Sequence, residues 1–370
     1  MKERKIRYFQ KFISFCLTAA LASGLVSGNA PIKVNAAEST TVSSFTDLKN
    51  AIENASGDLT VTVADDIGMT EIISVPEGST VTVLSDGNHT LKRQSGFNGT
   101  MFDVSGTLKL GSSDGMAGNS LTLDGGAVWT GTVNAVLGRG QTNSGLSADD
   151  SLLAGNAGSS IYLYSGVMLQ NNRCSINGSG GAVTLREKAK LYLSGAVLRY
   201  CFSNDGGGAV KTYIGSQITM DGGEVYGNQA GTHGGAFQIY GCQKGSTSSH
   251  EEATCLISGG TIRNNLCSRV GGAIAVSNYS ILELSGNAVI RDNMTTSYTH
   301  AGGGIGFADA DTSLNISGSV VIEGNMRGSA DNNLHIGSYS NNKITVKNLF
   351  DDARIGITMS GSLGAFSNAL

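Results

Sequence analysis

The residues with chemistry to offer are few and scattered along the 370 positions. Adjacent acid pairs stand at Asp65-Asp66, Asp149-Asp150, Glu251-Glu252 and Asp351-Asp352. Two carboxylates can divide acid and base work across a glycosidic bond, provided the fold brings them to opposite sides of it. All four pairs fall where turns or loops are expected, so solvated charge is their default reading. The Asp149-Asp150 loop alone is placed to fold back over a groove. Arg199, Arg263 and Arg291 recur at one place in a repeated phrase, with Tyr226 and Glu323 at the same place in other copies and Asp221 and Glu224 close by. That column reads as an outer face of mixed charge. His233 and His300 lie just before glycine turns and read as polar loop residues. The chain has no Ser-His-Asp set, no zinc-ligand spacing and no phosphate-cradling loop. No catalytic, cofactor-binding or metal residue is assigned, and no cofactor is expected.

The repeat that must position these residues runs from about 160 to 336. Its clearest copy is Leu256-Ile257-Ser258-Gly259-Gly260-Thr261-Ile262-Arg263-Asn264-Asn265, followed by Gly271-Gly272-Ala273-Ile274. The turn glycine returns at Gly166, Gly195, Gly222, Gly259, Gly286 and Gly318, in steps of 29, 27, 37, 27 and 32. A Gly-Gly doublet returns at Gly180, Gly207, Gly234, Gly271 and Gly303, in steps of 27, 27, 37 and 32. Both markers slip together at the long steps, so whole loops have been inserted between units. Repeats in this range mean a stacked solenoid. Runs such as Leu191-Tyr192-Leu193 and Leu282-Glu283-Leu284 are too short for helices and alternate like strands. One unit cannot bury an apolar face alone, whereas stacked units pair each strand with its counterpart above and below. The prediction is a single-stranded parallel β-helix.

An apolar residue followed three places later by asparagine forms a second column: Leu169/Asn172, Val225/Asn228, Ile262/Asn265, Ile290/Asn293 and Ile322/Asn325, with Cys201 in the place after Leu198. Asparagine tolerates the left-handed turn conformation, and stacked copies can hydrogen-bond up the column. An internal structural ladder is therefore expected.

The phrases Gly181-Ala182-Val183, Gly208-Ala209-Val210, Gly235-Ala236-Phe237 and Gly272-Ala273-Ile274, each preceded by glycine, resemble the GGA-I repeats of chlamydial polymorphic outer-membrane proteins. The asparagine element resembles their F-x-x-N repeat, with Val, Ile or Leu in place of Phe. The chain after its first 36 residues is similar to pectate-lyase-like β-helix domains of Gram-positive surface proteins, and is expected to depart from the chlamydial group in having no C-terminal membrane barrel. The resemblance implies a right-handed helix. It also brings an enzyme into view, because lyases of that fold use carboxylate-held calcium with an Arg or Lys base, and hydrolases of that fold use clustered aspartates. The matching carboxylates that calcium would need do not converge in these repeats.

Glycine stands at 53 residues and proline at only 2, while 40% of the chain is hydrophobic, which fits turn-rich order. Only 15% is charged, so Ser, Thr, Asn and Gly must carry the surface. Residues 1–36 read as a secretory signal, with a basic front from Lys2 to Lys11, an apolar run from Phe12 to Val26 and a small-residue site at Val34-Asn35-Ala36. The six basic residues of this segment stand against Glu3, and their removal takes the formal charge from −4 to −9. An acidic chain without a basic cluster suits neither nucleic acid nor anionic lipid. Residues 37–58 are expected to hold an exposed leader and an amphipathic capping helix over Phe45 to Ala55, with Ser44 and Asp47 as its capping box. Residues 59–370 are expected to form the solenoid, opening with strands at Leu59–Val63, Glu71–Val75, Thr80–Leu84, Met101–Val104, Leu108–Leu110 and Leu121–Leu123.

Gly138–Ser151 reads as a long loop leaving the stack. Cys174 and Cys201, 27 apart, are expected to stack in adjacent coils, either bridged or as buried thiols. Cys242 and Cys255 are expected to staple the base of an inserted loop. Strands at Lys343–Val346 and Ile355–Met359 end the chain without an evident cap, which would favour further modules or end-to-end association. The reading is an all-β, right-handed parallel β-helix with an N-terminal capping helix. As a function it implies an extracellular, secreted or surface-attached adhesin-like scaffold that binds glycans or host surfaces without catalysis or membrane insertion. The alternative is a polysaccharide lyase or glycosidase acting on acidic glycans.

Overall fold

A strand of three to six residues buries its inward row only if neighbouring strands satisfy both of its edges. That requirement is met here by stacking. The computed structural model describes residues 38–130, 142–241, 251–297, 301–336 and 342–359. Within them the regular structure is almost entirely short strands, nearly all paired in parallel with their counterparts in the next coil, as a parallel β-helix requires.

Each coil has three main faces. The first holds Asp58–Val63, Thr80–Ser85, Thr107–Leu110, Ser160–Tyr164 and the strands above them, up to Lys343–Leu349. A glycine bend leads to the second, which holds Val167–Gln170, Thr261–Arg263, Val289–Arg291 and Val321–Glu323 among others. The third is a ten-stranded sheet from Ile73–Val75 to Ile357–Met359. A two-residue strand, such as Arg173–Cys174 or Leu266–Cys267, joins the second face to the glycine doublet. Inward residues stack in kind: Val61, Val83, Leu110, Leu163, Leu193, Met220, Ile257, Leu284 and Ile316 form one buried column. Each such side chain contributes roughly 1.5–3 kcal/mol by burial.

Helix α1 spans Phe45–Glu53 and buries Leu48 and Ile52 against the first coil. Ser44 accepts from the amide of Asp47 at 3.2 Å, satisfying one of the orphan donors of the first turn. The helix ends two residues before the expected Ala55. The leader is not loose: Glu38–Val42 is a strand in parallel register with Leu59–Val63, its first four residues exposed and Val42 buried in the core. Asn88–Arg93, which lies outside the expected strands, is a strand of the second face. Part of the expected loop Gly138–Ser151 is ordered too, because Thr142–Gly145 pairs antiparallel with Ala127–Thr130. The proposed signal segment, Cys242 and His300 lie outside the described residues.

The glycine columns run close to prediction, with shifts of one residue. The fifth doublet is Gly302-Gly303, since the Gly272 amide donates to the Gly302 carbonyl at 3.0 Å. The positive-φ bend glycine is Gly223 and Gly260 in two units rather than Gly222 and Gly259.

The asparagine ladder is internal, as expected. Asn228, Asn265, Asn293 and Asn325 are fully buried, and each donates from Nδ2 to the Oδ1 of the next, at 3.0, 2.9 and 2.8 Å, with Asn333 completing the run at 2.9 Å. Their own backbones are not left-handed. That conformation belongs to the preceding residue, in a column made of Asn171, Tyr200, Gly227, Asn264, Asp292 and Gly324, all at positive φ. Cys201 ends the ladder, and one coil below it Asn172 turns its amide to the carbonyls of Gly181 and Asp150 and accepts from the buried Arg93. Arg93 also donates to the carbonyls of Gly99 and Phe97, and burial lowers its pKa to about 10.

The cysteines correct two expectations. Cys174 pairs in register with Ser203, and Cys201 occupies the asparagine column, so the two do not stack. The connection from Cys174 to its doublet is two residues longer than the one from Ser203, which is why equal spacing misled. Cys255 is a free thiol facing the interior between Ile218 and Leu282, because strand alternation places it inward with Ile257. Burial raises all four described thiols: Cys174 and Cys201 to about 12, Cys267 to about 11, and Cys255 also upward. These four are expected to resist a thiol reagent at neutral pH until denaturant is added. Mass mapping of labelled peptides checks this, and labelling of Cys255 in native protein would refute its burial.

Candidate functional site

Strand alternation leaves two rows per coil facing outward, and their composition decides what the lateral surface can do. On the first face one outward column runs Thr60, Thr82, Lys109, Tyr162, Tyr192, Thr219, Leu256, Glu283, Asn315 and Thr345. Tyr162 and Tyr192 stack with centroids 4.3 Å apart and planes 6° from parallel. On the second face a column runs Asp124, Gln170, Arg199, Tyr226, Arg263, Arg291 and Glu323, the one the sequence singled out.

That second column is a linked chain of contacts. Gln170 donates to Asp124 at 2.7 Å and accepts from Arg199 Nε and Nη2 at 2.9 and 2.6 Å. Arg199 Nη1 donates to the Tyr226 hydroxyl at 3.0 Å, and the Arg263 guanidinium lies 4.2 Å from the Tyr226 ring centroid. Arg263 is paired with Glu224 at 2.9 Å and Arg291 with Asp292 at 2.6 Å. Among the described residues Arg199 pairs with no carboxylate.

Tyr200 and Trp129 join this corner, and neither was anticipated from the sequence. The Tyr200 ring meets Tyr226 edge-on at 5.5 Å and lies 5.4 Å from the Arg199 guanidinium, while Trp129 Nε1 donates to the Tyr200 carbonyl at 2.8 Å. Tyr200 sits at φ 53°, in the left-handed column where its counterparts are Asn, Asp or Gly. A tyrosine there costs roughly 1–2 kcal/mol. The next residue up that column is Gly227, and a Cβ on it would lie 2.6 Å from the Tyr200 ring. Aligning the repeats on the residue before each ladder asparagine shows Tyr200 as the odd member, and that signal was available. Trp129 lies on the hairpin outside the repeat, which no periodicity marks.

Several of the candidate acids are already engaged, and Asp351 and Asp352 lie exposed in a turn. Asp149 accepts from Asn98 at 2.5 Å. Asp150 and Asp103 converge on Arg186, at 3.2 and 3.7 Å, with Asn156 donating to Asp103 at 2.9 Å. Asp221 accepts from Ser194 at 2.7 Å, Asp66 accepts from the Thr90 amide at 2.7 Å, and Glu251 pairs with Lys188 at 2.9 Å. His233 is half-buried beside the glycine doublet, and burial, then the Arg269 charge, lowers its pKa. Among the described residues no three His, Cys, Asp or Glu side chains are grouped to hold a metal ion. The residues brought together on the second face are therefore arginine, tyrosine, tryptophan and glutamine. Compared with family models, curated proteins and solved structures, the chain matches none.

Proposed function

We propose that this protein is an extracellular, secreted or surface-attached scaffold that holds glycans along its lateral faces without cleaving them. The observation that carries the reading is the make-up of the outward columns, in which hydroxyl, amide, tyrosine and arginine groups predominate, interspersed with Lys109, Leu256 and the acids Asp124, Glu283 and Glu323, all fixed on strands. Such groups match the alternating hydroxyl and CH surfaces of a sugar chain, and strand mounting removes much of the ordering cost of binding. The basic and apolar first 36 residues support export, and the low charge content suits life outside the cell.

The enzyme alternative rests on Asp103 and Asp150 converging at Arg186. One experiment separates the two readings. The purified protein is placed on a panel of plant, host and microbial glycans with calcium present, recording both retention and the release of reducing or unsaturated ends. Retention without release is expected. Release that disappears in Asp150→Asn would replace the scaffold with a glycan-cleaving enzyme, and the absence of both would leave no glycan role.

A further inference from the structure

We propose that the corner built by Arg199, Tyr200, Tyr226, Gln170 and Trp129 is a subsite for a sugar bearing a carboxylate, an inference that rests on the glycan-binding reading above. Three observations converge on it. Arg199 is held by neutral partners in the coils on either side, Gln170 Oε1 and the Tyr226 hydroxyl, while the neighbouring arginines of the column are neutralised by Glu224 and Asp292. Three of the five N–H groups of its guanidinium are taken up in this way, which leaves one on each terminal nitrogen available to an acceptor.

The second observation is Tyr200. Its position in the other coils is filled by residues that accept a left-handed backbone, so the tyrosine is kept against the local preference of the fold. Its ring is given room by Gly227 and is fixed by Tyr226 at its edge. The third is Trp129, whose hairpin leaves the stack and returns an indole to the same corner, tied to the Tyr200 carbonyl. Aromatic rings and a guanidinium with spare donors answer the two surfaces of a uronic acid, its CH face and its carboxylate.

The test uses wild-type protein, Tyr200→Asn and Arg199→Gln against oligogalacturonate and cello-oligosaccharide of equal length, with thermal unfolding measured alongside. Wild type is expected to prefer the uronate at least tenfold, with the preference shrinking as salt is raised. Arg199→Gln is expected to lose that preference, its affinity for the uronate falling at least tenfold more than its affinity for the neutral glucan. Tyr200→Asn is expected to lose affinity for the uronate, yet to hold its Tm within about 2 °C of wild type or raise it, because asparagine suits that backbone. A large fall in Tm would make Tyr200 a packing residue and overturn the subsite. Glycan binding unchanged in both variants would place the ligand elsewhere and overturn the subsite alone. Failure of wild type to bind any glycan on the panel would remove the scaffold reading and the subsite with it.

Discussion

Gly235→Ala is expected to lower stability by about 4 kcal/mol or more, placing it among the exceptional single-residue changes. The methyl carbon would lie 2.6 Å from the amide nitrogen of Leu266 and closer still to the carbonyl oxygen of Gly272. Both are backbone atoms of the next coil, so no side chain can rotate away. Relief requires widening the ~4.8 Å separation of stacked strands, which would also break the 3.1 Å bond from the Gly235 amide to the Gly271 carbonyl. Gly57→Ala serves as the control, because nothing lies within 4 Å of its added carbon and its φ is not positive. That change is expected to be neutral or slightly stabilising. Urea unfolding of the two variants side by side measures the difference, and equal midpoints would mean that the doublet is not a close approach.

Asn265→Ala is expected to cost about 3 kcal/mol, since it strips five hydrogen bonds from a dry interior. The amide of Asn265 donates to the carbonyls of Val225 and Arg263 and to Asn293 Oδ1, and its oxygen accepts from the backbone and side-chain amides of Asn228. Alanine would leave the backbone N–H of Asn228 and the Val225 carbonyl buried without this partner. Glycan retention should be unaffected, because the ladder faces inward while the outward columns carry the surface. A shift in Tm with intact binding supports this; lost binding at unchanged Tm would mean that the ladder serves the ligand.

Much of the fold was legible because alternation and spacing are local properties. The strands at 59–63, 80–84 and 108–110 were found from apolar periodicity, and the capping helix from its Ser44 cap and the spacing of Leu48 and Ile52. Glu38–Val42 escaped because its pairing partner, rather than any apolar pattern of its own, makes it a strand. The left-handed corner falls on the predecessor of the ladder asparagine and not on the ladder residue, a distinction the sequence blurs because asparagine tolerates that backbone and both positions carry it in two units, Asn171-Asn172 and Asn264-Asn265. The cysteine registers were misjudged because a fixed repeat length cannot reveal which corner of the coil absorbs an extra residue. At the candidate site, Arg199, Tyr226 and Arg263 followed from repeat arithmetic. Tyr200 followed from no rule of propensity, since its position opposes propensity, and Trp129 reaches the corner by a tertiary route.

The interruption of the asparagine ladder at Cys201 bears on how the chain avoids folding wrongly. Coils that were interchangeable would let a strand dock one unit too early or too late with almost the same hydrogen bonds, and a slipped stack would be a deep kinetic trap. Cys201 cannot supply the side-chain amide that the next step of the ladder uses, and Asn172 below it is committed to Arg93, a partner found in one coil only. Unequal insertions at the corners add to this, since a long connection cannot be folded into a short one's place. Each coil thus carries an address. The defects in the repeat are what give a repetitive chain one register to fold into.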